Sequence, residues 1–484
     1  MLSSLSPADL KDLSDRQLTP ADLDDQLKRL TSEPFRITMD RPCTVGDGIL
    51  SIVDPSVVLE KYSDAITAGR VMRFVPSSGA ASRMLDVFRK VIDEPRSSDP
   101  WMKAIETFAF FSEWSRAAKD AGLDIDKLLQ SARYVPLIHV LLSDPGLNFD
   151  SLPKALIPFH RYPGEVRTAF DEQLAETVML LGPKSTVHFT IADRHRDLFQ
   201  TAAQKARKSH PELTIEFSVQ HPSTDTICLD AEGRVLRDTG GRMVFRPGGH
   251  GALLKNLQDC GGDIVVIKNI DNVMPEHRLA AWIGHRQILI GLLIDTQEKV
   301  FDLLRSANQN AVDRDKLSSV LDRFDMTLPS DFDRLSVQRQ AAWIRETYDR
   351  PMRICAVVPD SGHPGGGPFW VPAEKTVTRQ IVELEHLERS YQTEIKTTHF
   401  NPVDMVCGLK NYQGQPFPLT AFRDERQYLV VQKTYLGKPI RTLEWPGLWN
   451  GGMAGWLTLF VEVPRETFTP VKMITDLLKP EHQA

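Results

Sequence analysis

The chain has 484 residues, of which 41% are hydrophobic and 25% charged, and its 58 Lys and Arg against 64 Asp and Glu give a formal net charge of −6. That composition supports a core shared over two or three packed units and excludes wholesale disorder. With both signs interspersed and no basic arm or stripe, nucleic acid is not an expected partner. The five cysteines, Cys43, Cys228, Cys260, Cys355 and Cys407, form no CxxC pair, which fits buried reduced thiols and a cytoplasmic location better than a disulfide framework or a zinc site. The opening MLSSLSPADLKDLSD lacks a basic region followed by an apolar one, and the apolar stretch LAAWIGHRQILIGLLID is interrupted by His285 and Arg286. Neither export nor membrane spanning is therefore expected.

Residues 1–70 read as a helical wrapping segment. Its helices are announced by SPADL and TPADL, with Ser6 and Thr19 as caps and Pro7 and Pro20 at the first helical position. Over 71–295 the pattern becomes strand and helix in alternation: VMRFVP, TVHFTIA, DRHRDLFQTAAQKARK, LTIEFSV and DIVVIKNID. Short Val/Ile-rich runs between amphipathic helices predict an α/β, Rossmann-like, mostly parallel sheet with helices on both faces. A helical insertion over 85–150 interrupts this core. A helical connector at 296–350 then leads to an α+β region at 351–484, which begins with PMRICAVVP.

Within this frame several stretches carry chemistry. FVPSSGAASRMLDVF predicts a strand, a loop of small residues and a helix. Ser78, Gly79, Ala80 and Ser82 would offer backbone N–H groups to an anion, and Arg83 in the first helical turn a fixed positive charge. Tight capping by Ser77, Ser78 and Ser82 is the plainer alternative. Lys154 follows Pro153 just before a short apolar run. Gln220, at the end of LTIEFSV, matches in its donor and acceptor the imide edge of a pyrimidine base, or else serves as a polar turn residue. In FRPGGHGALLKNL, Gly248, Gly249 and Gly251 allow close backbone approach to a flat ligand or simply build a turn. DIVVIKNIDN ends in Asp271 and Asn272 where open α/β sheets bind ligands, and a carboxylate there suits Mg²⁺.

The order of these elements resembles the sugar nucleotidyltransferases, especially the UDP-sugar pyrophosphorylases. Gly79 to Met84 matches their glycine-loop signature, Pro153-Lys154 their Pro-Lys pair, Gln220 their base-contacting Gln, Pro247 to Gly251 their PxGHG-type turn and Asp271 their metal-binding Asp. This chain departs in having Ser77, Ser78 and Ala81 where relatives carry more glycine, and about 70 residues between Arg83 and Lys154. Over nearly its full length the chain also resembles a bacterial family, domain of unknown function 4301, through QHPSTDT, FRPGGHGALLKNL, GHPGGGPFW, THFNPVD, LEWPGLWNGGMAGW and FVEVP.

The nucleotidyltransferase resemblance implies a nucleotide-diphospho-sugar transferase-like fold. It also implies an Mg²⁺-dependent reaction joining a nucleoside triphosphate, UTP first, to a sugar 1-phosphate or related phosphate monoester with release of pyrophosphate. Arg83, Lys154 and Asp271 would be catalytic, and the loop residues, Gln220 and the glycine turn would bind nucleotide. The acceptor side is expected in the C-terminal region, where Gly365, Gly366 and Gly367 allow close approach and Trp370 offers a stacking surface, with core packing the slightly preferred reading of the aromatic residues. His399, Asn401 and Asp404 are further polar candidates there, Asp404 as a second metal ligand, with a turn-capping role for Asn401 and Asp404 around Pro402 equally open and Asn450 ranked below them. His250 and Asn272 complete the expected substrate contacts. The alternatives are a glycosyltransferase of the same fold using a nucleotide-sugar, and a non-catalytic nucleotide-binding protein.

Overall fold

The structure is a computed structural model that describes residues 5–52, 54–79, 81–94, 100–360, 366–373, 377–388, 391 and 397–483. The chain divides into two compact units. One is formed by Met1–Arg70, Gln220–Val266 and Ile288–Pro464, the other by Val71–Val219, Ile267–Gln287 and Arg465–Ala484. A change of unit falls at the expected boundary of 70, whereas 295 and 350 both lie within Ile288–Pro464 of the first unit.

In the second unit the strands Val71–Pro76, Thr186–Ile191 and Thr214–Val219 lie side by side in that order, all parallel. Val71 to Val75 are all buried, and this is why VMRFVP has no alternation of polar and apolar residues. The helix Ala169–Leu181 starts on a capping box between Thr168 and Asp171, and Arg196–Ala206 is the crossover to the third strand. Phe170, Phe189, Phe199 and Phe217 meet between these helices and the sheet, Phe170 and Phe189 with ring centroids 4.7 Å apart.

The inserted stretch forms the helices Asp86–Asp93, Phe111–Asp120, Ile125–Gln130 and Val135–Leu142. Phe88, Trp101, Trp114 and Leu137 are buried in the same apolar cluster as Val75 and Val187 of the sheet. Trp114 Nε1 donates to Leu137 O at 2.7 Å. The insertion is thus part of this unit's core.

The first unit contains a mixed set of strands in the order Thr44–Val45, Gly48–Leu50, Leu457–Glu462, Met352–Pro359 and Asp404–Gly408, parallel except for the last pair. It also holds a three-stranded antiparallel sheet containing Gly366–Pro372 and Val377–Glu383, and a four-stranded one containing Thr226–Leu229 and Lys438–Glu444. Ser6 and Thr19 both form the capping boxes expected of them, with Asp9 and Asp22. Leu13, Leu23 and Leu30 of those helices pack on Ile227, Leu229 and Leu443. The strand Ile264–Lys268 and the helix Leu279–Asn308 each carry residues of both units. The architecture is α/β, with helices flanking mostly parallel strands. Among the described residues no helix is long and apolar enough to cross a membrane.

Candidate functional site

The strand Ile264–Lys268 stops three residues before Asp271, which sits in the turn that follows. A later stretch of chain runs along this turn. Val471 N donates to Asp271 O at 3.0 Å, Thr469 N to Asn272 Oδ1 at 3.1 Å and Thr469 Oγ1 to Val273 O at 3.0 Å. Those bonds deliver Lys472, whose own N–H, with that of Met473, is held by Asp476 Oδ2. From another direction comes Lys154, at the start of the short turn Lys154–Leu156; its N–H reaches Gly79 O at 3.4 Å.

Both ammonium groups converge on one carboxylate oxygen. Lys154 Nζ is 2.8 Å and Lys472 Nζ 3.0 Å from Asp271 Oδ2. Asp271 Oδ1 is buried and has no hydrogen-bond partner among the described residues. Burial alone would raise the Asp271 pKa, but Lys154 and then Lys472 outweigh it and hold the carboxyl at about 2. Burial pulls Lys154 downward, with Asp271 opposing. Two cations against one anion leave this part of the unit biased toward a further negative charge. Lys472 escaped the sequence reading because no spacing relates it to a residue 201 positions earlier.

The loop before Lys154 is only partly as expected. Ser77 is buried and committed to the sheet, its N–H to Thr190 O at 2.9 Å and its hydroxyl to Val75 O. Ser78 is half-buried, Gly79 is exposed, and a Cβ on Gly79 would meet nothing within 4 Å. Ala80 lies outside the described residues. The helix begins at Asp86 rather than near Ser82, so Arg83 is in the preceding turn and not in the first helical turn. The reason is local: Ala81, Met84 and Leu85 turn inward to the core, Leu85 N closes on Ala81 O, and Ser82 and Arg83 are left exposed. Asn272 is brought to the same turn as Asp271, with its Oδ1 taken by Thr469.

The remaining candidates belong to the first unit. Gln220 Nε2 donates to Thr224 Oγ1 at 3.3 Å, within its own turn. The close approach allowed by the PGGHG glycines is made by the chain itself. A Cβ on Gly248 would lie 2.5 Å from Thr224 O, on Gly249 2.7 Å from Glu444 Oε2, and on Gly251 2.6 Å from Trp445 O. His250 stacks on Trp449 at 4.1 Å, its Nδ1 accepts from Leu448 N, and burial pushes its pKa down, keeping it neutral.

In the C-terminal stretch, Gly366 O accepts from Asn401 N at 3.0 Å. Asn401 is spent on Ala356 O and Val403 N, which is the turn-holding role. Asp404 is fully buried at the head of its strand, and His399 pairs with Glu462. Trp370 takes the preferred core-packing role: it is 2% exposed, covered by Arg41 and Arg379 and bonded to Asp47. Asn450 Nδ2 donates to Glu383. Gly365 lies outside the described residues.

Among the described residues no group of three or more His, Cys, Asp or Glu is arranged to hold a metal. The unpartnered Oδ1 of Asp271 fits a single hard-cation contact, which is how Mg²⁺ is held when phosphate and water supply its other ligands.

No curated protein matches this sequence. Among solved structures, the fold is similar to the uridine diphosphate N-acetylglucosamine pyrophosphorylase of Trypanosoma brucei in complex with inhibitor, at 13% identity and a TM-score of 0.51, covering 99% of this chain and 80% of that one. The chain also has some likeness to the UDP-glucose pyrophosphorylase of Leishmania major, at 12% identity and a TM-score of 0.42, over 98% of this chain and 79% of that one. The first of these likenesses shows a nucleotidyltransferase-like fold. Residues 6–483 match the model of the domain of unknown function DUF4301, and to that family the chain belongs.

Proposed function

We propose that this chain is an Mg²⁺-dependent nucleotidyltransferase that joins a nucleoside triphosphate, UTP in preference, to a sugar 1-phosphate or related phosphate monoester and releases pyrophosphate. The observation that carries this reading is the meeting of Lys154 and Lys472 on one oxygen of Asp271, with the other oxygen unpartnered. An oxygen of the monoester forms a bond to the α-phosphorus as the bond from that phosphorus to the bridging oxygen breaks, and the electron pair leaves with pyrophosphate. Two anions must meet, so the chain's task is to position them and to neutralise charge.

Lys154, nearly buried at its turn, is suited to the α-phosphate, and the more exposed Lys472 to the departing phosphates. The exposed backbone at Gly79 is open to the triphosphate, and Arg83 is free in solvent to approach the same anion. Asp271 would hold Mg²⁺, which when bound neutralises phosphate charge. No side-chain nucleophile is needed.

The test is a panel of UTP, CTP, dTTP, ATP and GTP crossed with sugar 1-phosphates and other monoesters, with Mg²⁺, read as pyrophosphate release. Release that requires both substrates and is strongest with UTP is expected. Binding of nucleotide-sugars without triphosphate binding would overturn the reading in favour of a glycosyltransferase. Triphosphate binding without release across the panel would leave a nucleotide-binding protein.

A further inference from the structure

The segment 465–483 that carries Lys472 is held in its middle by Ile474 N on Met84 O and by Val471, Ile474 and Leu477 in the apolar cluster, and it has a polar fastening on either side of these. One fastening is the run of bonds at Asp271 to Val273; the other is a histidine contact farther along. His482 is buried, its ring stacked on that of His160 with centroids 5.4 Å apart and 20° between planes, and its Nδ1 is 3.1 Å from His160 Nε2. His160 stands in the strand Pro158–Tyr162, and its Nδ1 is 2.9 Å from Glu172 Oε1. Tyr162 OH donates to the same oxygen at 2.8 Å and accepts from Glu276 N at 3.0 Å. A chain of neutral hydrogen bonds thus ends on His482: one of the two facing nitrogens donates, the other accepts, and neither ring needs a charge.

We propose that His482, docked on His160, is a proton-operated clasp on the segment 465–483, which holds Lys472 against Asp271 while neutral and releases it when protonated. The inference does not depend on the reaction proposed above. His482 faces His160, Glu481, Asp476 and Lys479. His160 faces Glu172, Glu176, Arg167 and His277 as well as His482. Glu172 keeps Tyr162 and Arg167 when the segment leaves, because both belong to the hairpin and not to the segment.

The sign follows from burial. Burial, then His160 beside it, lowers His482 to about 4 against 6.5 in water, so the docked form binds fewer protons than the released one between those values. Acidification through that window favours release, by about tenfold per pH unit for one proton taken up. The bonds of Asp476 to Lys472 and Met473 do not change there, because its own pKa lies below 3.8.

The test is amide hydrogen exchange of the full chain at pH 6.5 and 4.5, expressed as protection relative to the intrinsic rate at each pH. The Val471 and Ile474 amides, which donate to Asp271 O and Met84 O, are expected to lose protection by tenfold or more, while amides of the strand Thr186–Ile191 keep theirs. In His482→Phe, which retains a stacking ring without a titratable nitrogen, protection should not change over this range. His482→Gln gives a second non-titrating comparison should the first variant fold poorly. Unchanged protection in the wild type, or an equal loss in the variants, overturns the proposal.

Discussion

Lys154 Nζ and Asp271 Oδ2 stand 2.8 Å apart although 117 residues separate them in the chain. Both side chains are nearly withdrawn from water, at 12% and 11% exposure. A pair this buried is costly to assemble and gains little over an apolar pair, so its presence beside an unpartnered carboxylate oxygen is better explained by use than by stability.

Asp271→Asn is expected to lower pyrophosphate release by at least two orders of magnitude, since it removes the charged oxygen suited to the cation. The variant also leaves two ammonium groups without their counter-charge, so it should melt lower than the wild type. Lys472→Ala, at a side chain 57% exposed, should lose activity with little change in melting. Full activity in a folded Asp271→Asn would remove this residue from the site.

Two glycines should respond in opposite ways. Gly79→Ala introduces a methyl group with nothing within 4 Å, so the melting temperature should hold while triphosphate binding weakens. Gly249→Ala combines φ +73° with a carboxylate oxygen 2.7 Å from the new carbon, and should destabilise by about 1–3 kcal/mol. Calorimetric melts and a UTP titration of both variants separate a ligand-facing glycine from a structural one. Equal loss of stability in the two would contradict the difference in their surroundings.

Glu176 lies fully buried between cations, with Lys268 Nζ 2.9 Å from each of its oxygens and Arg73 at 3.3 Å. Lys268 also sits 3.8 Å over the ring of Trp282. Glu176→Gln breaks a buried ion network and should destabilise by about 3–5 kcal/mol in urea unfolding. A cost below about 1 kcal/mol would mean that the neighbouring dipoles and the Trp282 ring suffice to hold these cations.

Much of this was readable from residue order because it is local. Short Val- and Ile-rich runs such as VMRFVP and DIVVIK mark strands covered on both faces, and Ser6 and Thr19 cap helices with groups three residues away. Lys154 and Asp271, which the fold places 2.8 Å apart, were singled out through the order of motifs. Their partner Lys472 was not, because its position depends on Thr469 and Val471 pairing with a turn about 200 residues earlier. The PGGHG glycines show the same limit from the other side: the sequence marks a need for closeness, but only the fold reveals that Trp445 and its neighbours fill the space. Arg83 fell outside the helix because three inward-facing apolar residues, Ala81, Met84 and Leu85, take the turn that a helix would have used.

The acid dependence of stability offers a last check on the lysine cluster. Asp271 is held at about 2 against an ordinary value of 3.8, so the folded form binds fewer protons than the unfolded one between those limits. A depressed carboxylate contributes stability that is present above 3.8 and is lost as the pH falls toward 2; its full size here is about 2 kcal/mol, of which about 1 kcal/mol is gone by pH 3. Asp271→Asn has no such titration. Urea unfolding of the wild type and this variant at pH 6 and pH 3 should therefore show the gap between them narrowing by about 1 kcal/mol on acidification. The comparison cancels the other carboxylates, which titrate alike in both proteins. A gap that stays constant would mean that Lys154 and Lys472 do not hold the Asp271 charge in solution.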